Sequence, residues 1–132
     1  IKKIVIHCSD TPNGRPHTAE DIHRWHLERG WDGIGYHHVI GLKGEIESGR
    51  PHYWMGSHVA GHNKNTIGIC LIGRDTFTTE QCAVLTYLVN DLIKNNPDAE
   101  VVGHYELDPK KTCPNFDVQS WWKEAKTEMD WG

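Results

Sequence analysis

The sequence predicts an α/β fold: one domain, a mixed central β-sheet, and helices on both faces. Three observations carry this. Apolar runs at 2–8 (KKIVIHC), 66–73 (TIGICLIG) and 100–104 (EVVGH) are short and rich in β-branched residues, as strands are. Between them, segments 18–29 and 78–95 repeat their apolar residues at three- and four-residue spacing, as helices do. The separators are built from Pro, Gly, Asn and Asp. The 132 residues suit a single domain, and no repeat, low-complexity tract or linker divides them.

Each element follows in turn. Lys2 to Cys8 alternates, with Ile4 and Ile6 on one side and Val5 and His7 on the other. His7 therefore stands at the carboxyl end of a core strand, where open α/β sheets build their sites. A loop leads to Thr18, an N-cap with Asp21 at the capping-box position. Ile22, Trp25, His26 and Arg29 share a helical face that Gly30 ends. His23 and His26 are read as partly exposed or packed rather than as metal ligands. Tyr36 to Leu42 reads as a strand that turns at Lys43-Gly44 into Glu45 to Ser48, with Tyr36 and His38 on one face and His37 on the other.

Residues 49–65 are rich in Gly, His and aromatics and read as loops, with a short extended piece at His52 to Met55. His58, His62 and Asn63 are candidate groove residues there. The run at 66–73 reads as a central strand covered on both faces. Thr78 with Gln81 forms a capping box, and Leu85, Leu88, Val89, Leu92 and Ile93 form a core stripe. The strand ending at His104 opens into a loop. Asp117 then caps a last helix, which packs through Val118, Trp121, Trp122 and Ala125.

Composition narrows the function. The net charge of −4 without a Lys/Arg run argues against nucleic acid or an anionic membrane as the main partner. No apolar stretch is long enough to span a bilayer. No leader is visible, although the chain begins at Ile1 without Met, so preceding residues could have been removed. Four cysteines without CxxC spacing argue against a disulfide framework and for a reducing compartment; Cys70 and Cys82 are expected to be buried thiols. A core of this size needs no structural metal, so a bound metal is expected to serve chemistry.

The stretch from Gly103 to Phe116 (GHYELDPKKTCPNF) carries that expectation. It places His104, Lys111 and Cys113 in one short segment after a strand. Two imidazoles, His7 and His104, and the Cys113 thiolate make a three-ligand zinc set with the fourth position open. Glu106 and Asp108 are rival third ligands. Zinc so held acidifies a water and polarises a carbonyl. Lys111 offers a cation to a developing oxyanion, and Tyr36 and His37 are candidates to orient the water and handle its proton.

Four motifs in order, IVIHCSDT, GIGYHHVIG, GSHVAGHNKNTIGICLIG and GHYELDPKKTCPNFD, resemble the zinc-dependent N-acetylmuramoyl-L-alanine amidases of type 2, among them the amidase lysozymes of short-tailed phages. Peptidoglycan recognition proteins share this fold. The resemblance spans nearly the whole chain and implies one zinc amidase domain over 1–132. His7, His104 and Cys113 match the zinc ligands; the third is often aspartate in bacterial relatives. Tyr36 matches the catalytic tyrosine, His37 the histidine beside it, and Lys111 the catalytic lysine. His58 and Asn63 match the peptide groove. The implied substrate is peptidoglycan, cut between N-acetylmuramic acid and L-alanine. The glutamate that some bacterial members place near the metal has no counterpart here. The phage enzymes also inhibit their phage's RNA polymerase, which the resemblance admits as a second partner. A monomer, made in the host cytoplasm and released to the wall, is the expectation for a phage-encoded chain. A binding module that holds muropeptides without cutting them is the main rival.

Overall fold

The computed structural model describes residues 1–131. Nine elements follow in order: β1 (Lys3–Cys8), α1 (Ala19–Glu28), β2 (His38–Ile40), β3 (Ile46–Ser48), β4 (Thr66–Leu71), α2 (Thr79–Asn95), β5 (Glu100–Gly103), α3 (His104–Leu107) and α4 (Val118–Trp131). The five strands form one sheet in the order β3-β2-β4-β1-β5. All neighbours are parallel except the β2–β3 hairpin, so the sheet is mixed as the sequence predicts.

The two sheet faces are covered differently. On one, Ile4, Ile6, Ile67, Ile69 and Leu71 pack against Leu85, Val89 and Leu92 of α2 and Val118, Trp122 and Ala125 of α4. On the other, Val39 and Cys70 meet Ala19 and Ile22 of α1. Beyond α1 on this second face, Val5 and Val102 are covered by Val59 from a loop and by Leu107 of α3. No long helix lies there, and that leaves room for a site above β1 and β5.

The helix starts match the sequence. Thr18 and Thr78 both close capping boxes, with Asp21 and Gln81 as partners. At the start of α4, the Asp117 carboxylate accepts the Ser120 N–H at 3.0 Å.

Four expectations are corrected. Cys82 is exposed, because the buried stripe of α2 runs through Gln81, Leu85, Val89 and Leu92, and Cys82 lies a step round the helix from it. The predicted 36–42 strand is only His38–Ile40, since β2 has just three residues of β3 to pair with. Strict alternation therefore does not reach Tyr36, and the Tyr36 and His37 rings both approach His58, at 6.5 and 5.8 Å between centroids. Residues 52–55 form turns rather than an extended piece. His104 starts the single turn of α3 rather than a loop, and the Glu106 carboxylate accepts the Gly103 N–H at that turn.

Candidate active site

Sheet register builds the first half of the site. In the parallel β1–β5 pair, Ile6 stands opposite Gly103, so the next residues, His7 and His104, emerge side by side. Their Nδ1 atoms are 3.1 Å apart. The third arm comes from the segment after α3. Tyr105 N–H bonds Cys113 O at 3.1 Å and Lys111 N–H bonds Asp108 O at 3.0 Å, which folds the segment back over the strand ends. The Cys8 backbone N–H then donates to Cys113 Sγ at 2.8 Å.

His7, His104 and Cys113 thus offer one ligand atom each, all within 4.8 Å of one another. Two Zn–N bonds of tetrahedral geometry hold their nitrogens about 3.3 Å apart, so this imidazole pair is already spaced for such an ion. Among the described residues no other three His, Cys, Asp or Glu side chains converge this way. Of the rival ligands, the Glu106 carboxylate is turned to Gly103 N–H and Gln119 Nε2. Asp108 lines the cleft, but its Oδ1 accepts the Lys110 N–H.

The electrostatics suit metal binding. Burial, then the neighbouring His58 and His104, hold His7 well below the usual imidazole pKa. Burial and the Lys111 cation lower His104 despite an opposing pull from Asp108. Both rings stay neutral near pH 7 with lone pairs to donate. The Cys8 thiol and burial push Cys113 up, and a bound divalent cation is the charge that reverses this.

His104 and Cys113 stand in the wall of a cleft of about 550 Å³, and His7 is sealed beneath it at 1% exposure. Tyr36, His58, Asn63 and Lys111 also line the cleft. The Tyr36 ring lies 5.1 Å from the His7 ring, and burial raises its phenol pKa, so it keeps its proton to donate. His37 is placed otherwise. It is fully buried behind the wall, its Nδ1 accepting Gly68 N–H at 3.0 Å and its Nε2 donating to Trp54 O at 2.8 Å. His62 is exposed and stands outside the cleft lining.

Sequence reasoning missed Thr66, whose hydroxyl lies 3.0 Å from His58 Nε2, and the backbone N–H of Cys8, which holds the Cys113 sulfur. His26, packed as expected, also lines the cleft, its Nδ1 accepting Gly35 N–H at 2.9 Å. Only the glycines Gly56 and Gly68, both packed on the His58 ring, signal in sequence that a ring must fit there.

The sequence model of the N-acetylmuramoyl-L-alanine amidase family, Amidase_2, matches residues 1–116. The chain belongs to that family. This amidase is 36% identical over 132 residues to an endolysin of Enterobacteria phage K11, covering 94% of this chain and 87% of the relative. Its fold superposes on the N-acetylmuramoyl-L-alanine amidase LysC of Clostridium intestinale with a TM-score of 0.84 at 30% identity, over 98% of this chain and 85% of that one. Wild-type Drosophila PGRP-LB follows with a TM-score of 0.77 at 28% identity, over 85% and 73% of the two chains. The amidase is thus an enzyme of peptidoglycan hydrolysis, on the α/β fold its sequence predicts.

Proposed function

We propose that this amidase cleaves the amide between the lactyl group of N-acetylmuramic acid and L-alanine, with zinc held by His7, His104 and Cys113. The convergence of those three side chains from β1, α3 and the following loop supports this reading. When bound there, zinc supplies a Lewis acid for the carbonyl and an acidified water as nucleophile. The protein's own groups do the rest. Lys111 places a cation in the cleft wall where oxyanion charge develops. The protonated Tyr36 hydroxyl donates a hydrogen bond at the reacting centre and orients the water. His37 serves catalysis through packing, since both its nitrogens are engaged by backbone. His58 and Asn63 form the wall against which the stem peptide lies.

We propose that one amidase domain spans 1–132, past the family match; the packing of Val118, Trp122 and Ala125 in the same core supports this. We further propose a monomer that acts on muropeptides; if phage-encoded, it is made in the host cytoplasm and released to the wall. Binding of a phage RNA polymerase is a separate proposal, and a pull-down with that polymerase tests it. The main reading is tested by metal analysis of purified protein together with mass spectrometry of digested muropeptides. One tightly held zinc per chain and new L-alanine amino termini are expected. Bound metal with no new termini would mean binding without cleavage.

A further inference from the structure

His7 uses only one ring nitrogen toward His104 and Cys113. Its other nitrogen, Nε2, lies 2.8 Å from His58 Nδ1. His58 Nε2 in turn lies 3.0 Å from Thr66 Oγ1, and Thr66 Oγ1 lies 2.8 Å from Asn63 O. Proton directions along this row are forced from its far end. A carbonyl oxygen only accepts, so the Thr66 hydroxyl donates to Asn63 O. The Thr66 oxygen must then accept, which puts the proton of neutral His58 on Nε2. His58 Nδ1 is left as an acceptor, so His7 donates from Nε2. A neutral imidazole carries one such proton, and His7 Nδ1 is bare.

We propose that His58 and Thr66 are positioning residues that fix His7 in the tautomer whose Nδ1 lone pair faces the metal position. The proposal rests on the metal-binding role of His7 put forward above.

The surroundings are shaped for this row. His58 and Thr66 are 8% and 5% exposed, so water does not compete for their bonds. The Asn63 side chain accepts both His58 N–H and Val59 N–H, at 2.9 and 2.8 Å, which pins the backbone that carries the ring. Asn63 thus ends the row with its carbonyl and anchors the His58 backbone with its side chain. Two glycines make the slot. A Cβ on Gly68 would sit 2.7 Å from the His58 ring, and one on Gly56 would sit 2.5 Å from it. Both positions leave the space of a side chain to this imidazole. Second partners that orient a metal-ligating histidine typically change metal affinity 10–100-fold when removed.

The test uses the whole chain, as wild type and three variants. Zinc affinity is measured by competition with a chromogenic chelator for wild type, His58→Phe, Thr66→Val and His58→Asn. His58→Phe keeps the ring volume without the acceptor and is expected to bind zinc about 10–100-fold more weakly. Thr66→Val, nearly isosteric, is expected to weaken it in the same direction by less. His58→Asn offers an oxygen near the Nδ1 position and is expected to regain part of the loss, which a merely space-filling role would not give. Separately, nitrogen NMR of the metal-free wild type reads the His7 tautomer. A proton on Nε2 supports the proposal, and a proton on Nδ1 overturns it. Zinc held as tightly by His58→Phe as by wild type also overturns it. If wild type binds no zinc, the metal reading itself fails, while the tautomer measurement still decides the row. If His58→Phe does not fold, Thr66→Val and the tautomer carry the decision.

Discussion

Cys113 and Lys111 stand two residues apart in one segment, yet their removal is expected to separate two functions. Cys113→Ala deletes a ligand atom of the set within 4.8 Å, so zinc content and amidase rate should fall together. Lys111→Ala leaves His7, His104 and Cys113 in place; zinc should stay bound while kcat drops about 10²–10³-fold, the usual cost of one oxyanion donor. Parallel metal analysis and muropeptide kinetics check both, and a near-normal rate in Lys111→Ala would remove the oxyanion role. Tyr36→Phe keeps the ring against His7 and deletes only the hydroxyl, so a loss of rate without a loss of zinc isolates its hydrogen bond.

At the scale of elements, α2 is bound to the sheet by a polar residue in an apolar stripe. The fully buried Gln81 donates from Nε2 to Ile40 O at 3.2 Å and to Ile72 O at 2.9 Å, and its Oε1 accepts Thr78 N–H. Gln81→Leu strips partners from those buried carbonyls and should cost about 1–3 kcal/mol, read as a lower urea midpoint. Zinc affinity should not change, since α2 packs on the face away from the site. The element that covers the other face responds to acid. His26 of α1 takes its proton only at about 4, held down from 6.5 mainly by burial, and protonation would break its bond from Gly35 N–H. His38 of β2 behaves alike, also near 4 and also through burial. In the unfolded chain both protonate near 6.5. The unfolded state therefore binds more protons as pH falls below 6.5, and stability present above that value is lost progressively toward pH 4. Thermal midpoints of metal-free protein at pH 7, 5.5 and 4.5 should decline in order; a flat series contradicts it.

For the whole molecule, the core and the site are separable. The packing of α2 and α4 on the sheet contains no residue of the metal set. Chelation should therefore abolish activity while leaving the far-UV circular dichroism of a folded α/β protein, and added zinc should restore the rate. Unfolding on chelation would show that the metal holds the structure instead.

Periodicity and capping made most of the fold legible: the strands around Ile4, Ile69 and Val101 and the helices begun at Thr18 and Thr78 all stand where the pattern places them. Local pattern failed where partners decide. Cys82 and Gln81 are adjacent in sequence, and only the angle at which α2 meets the sheet makes one exposed and the other buried. At the site, residue types and motif order pointed to His7, His104 and Cys113. That their ligand atoms meet depends on the parallel register of β1 with β5 and on a folded-back segment, contacts across about a hundred residues that no local spacing encodes. The elements and the chemistry on offer are readable along the chain, because both follow from side chains a few residues apart. Only folding decides which histidine turns a nitrogen toward His104 and Cys113 and which stands behind it, because hydrogen-bond partners are set by neighbours brought together across the chain.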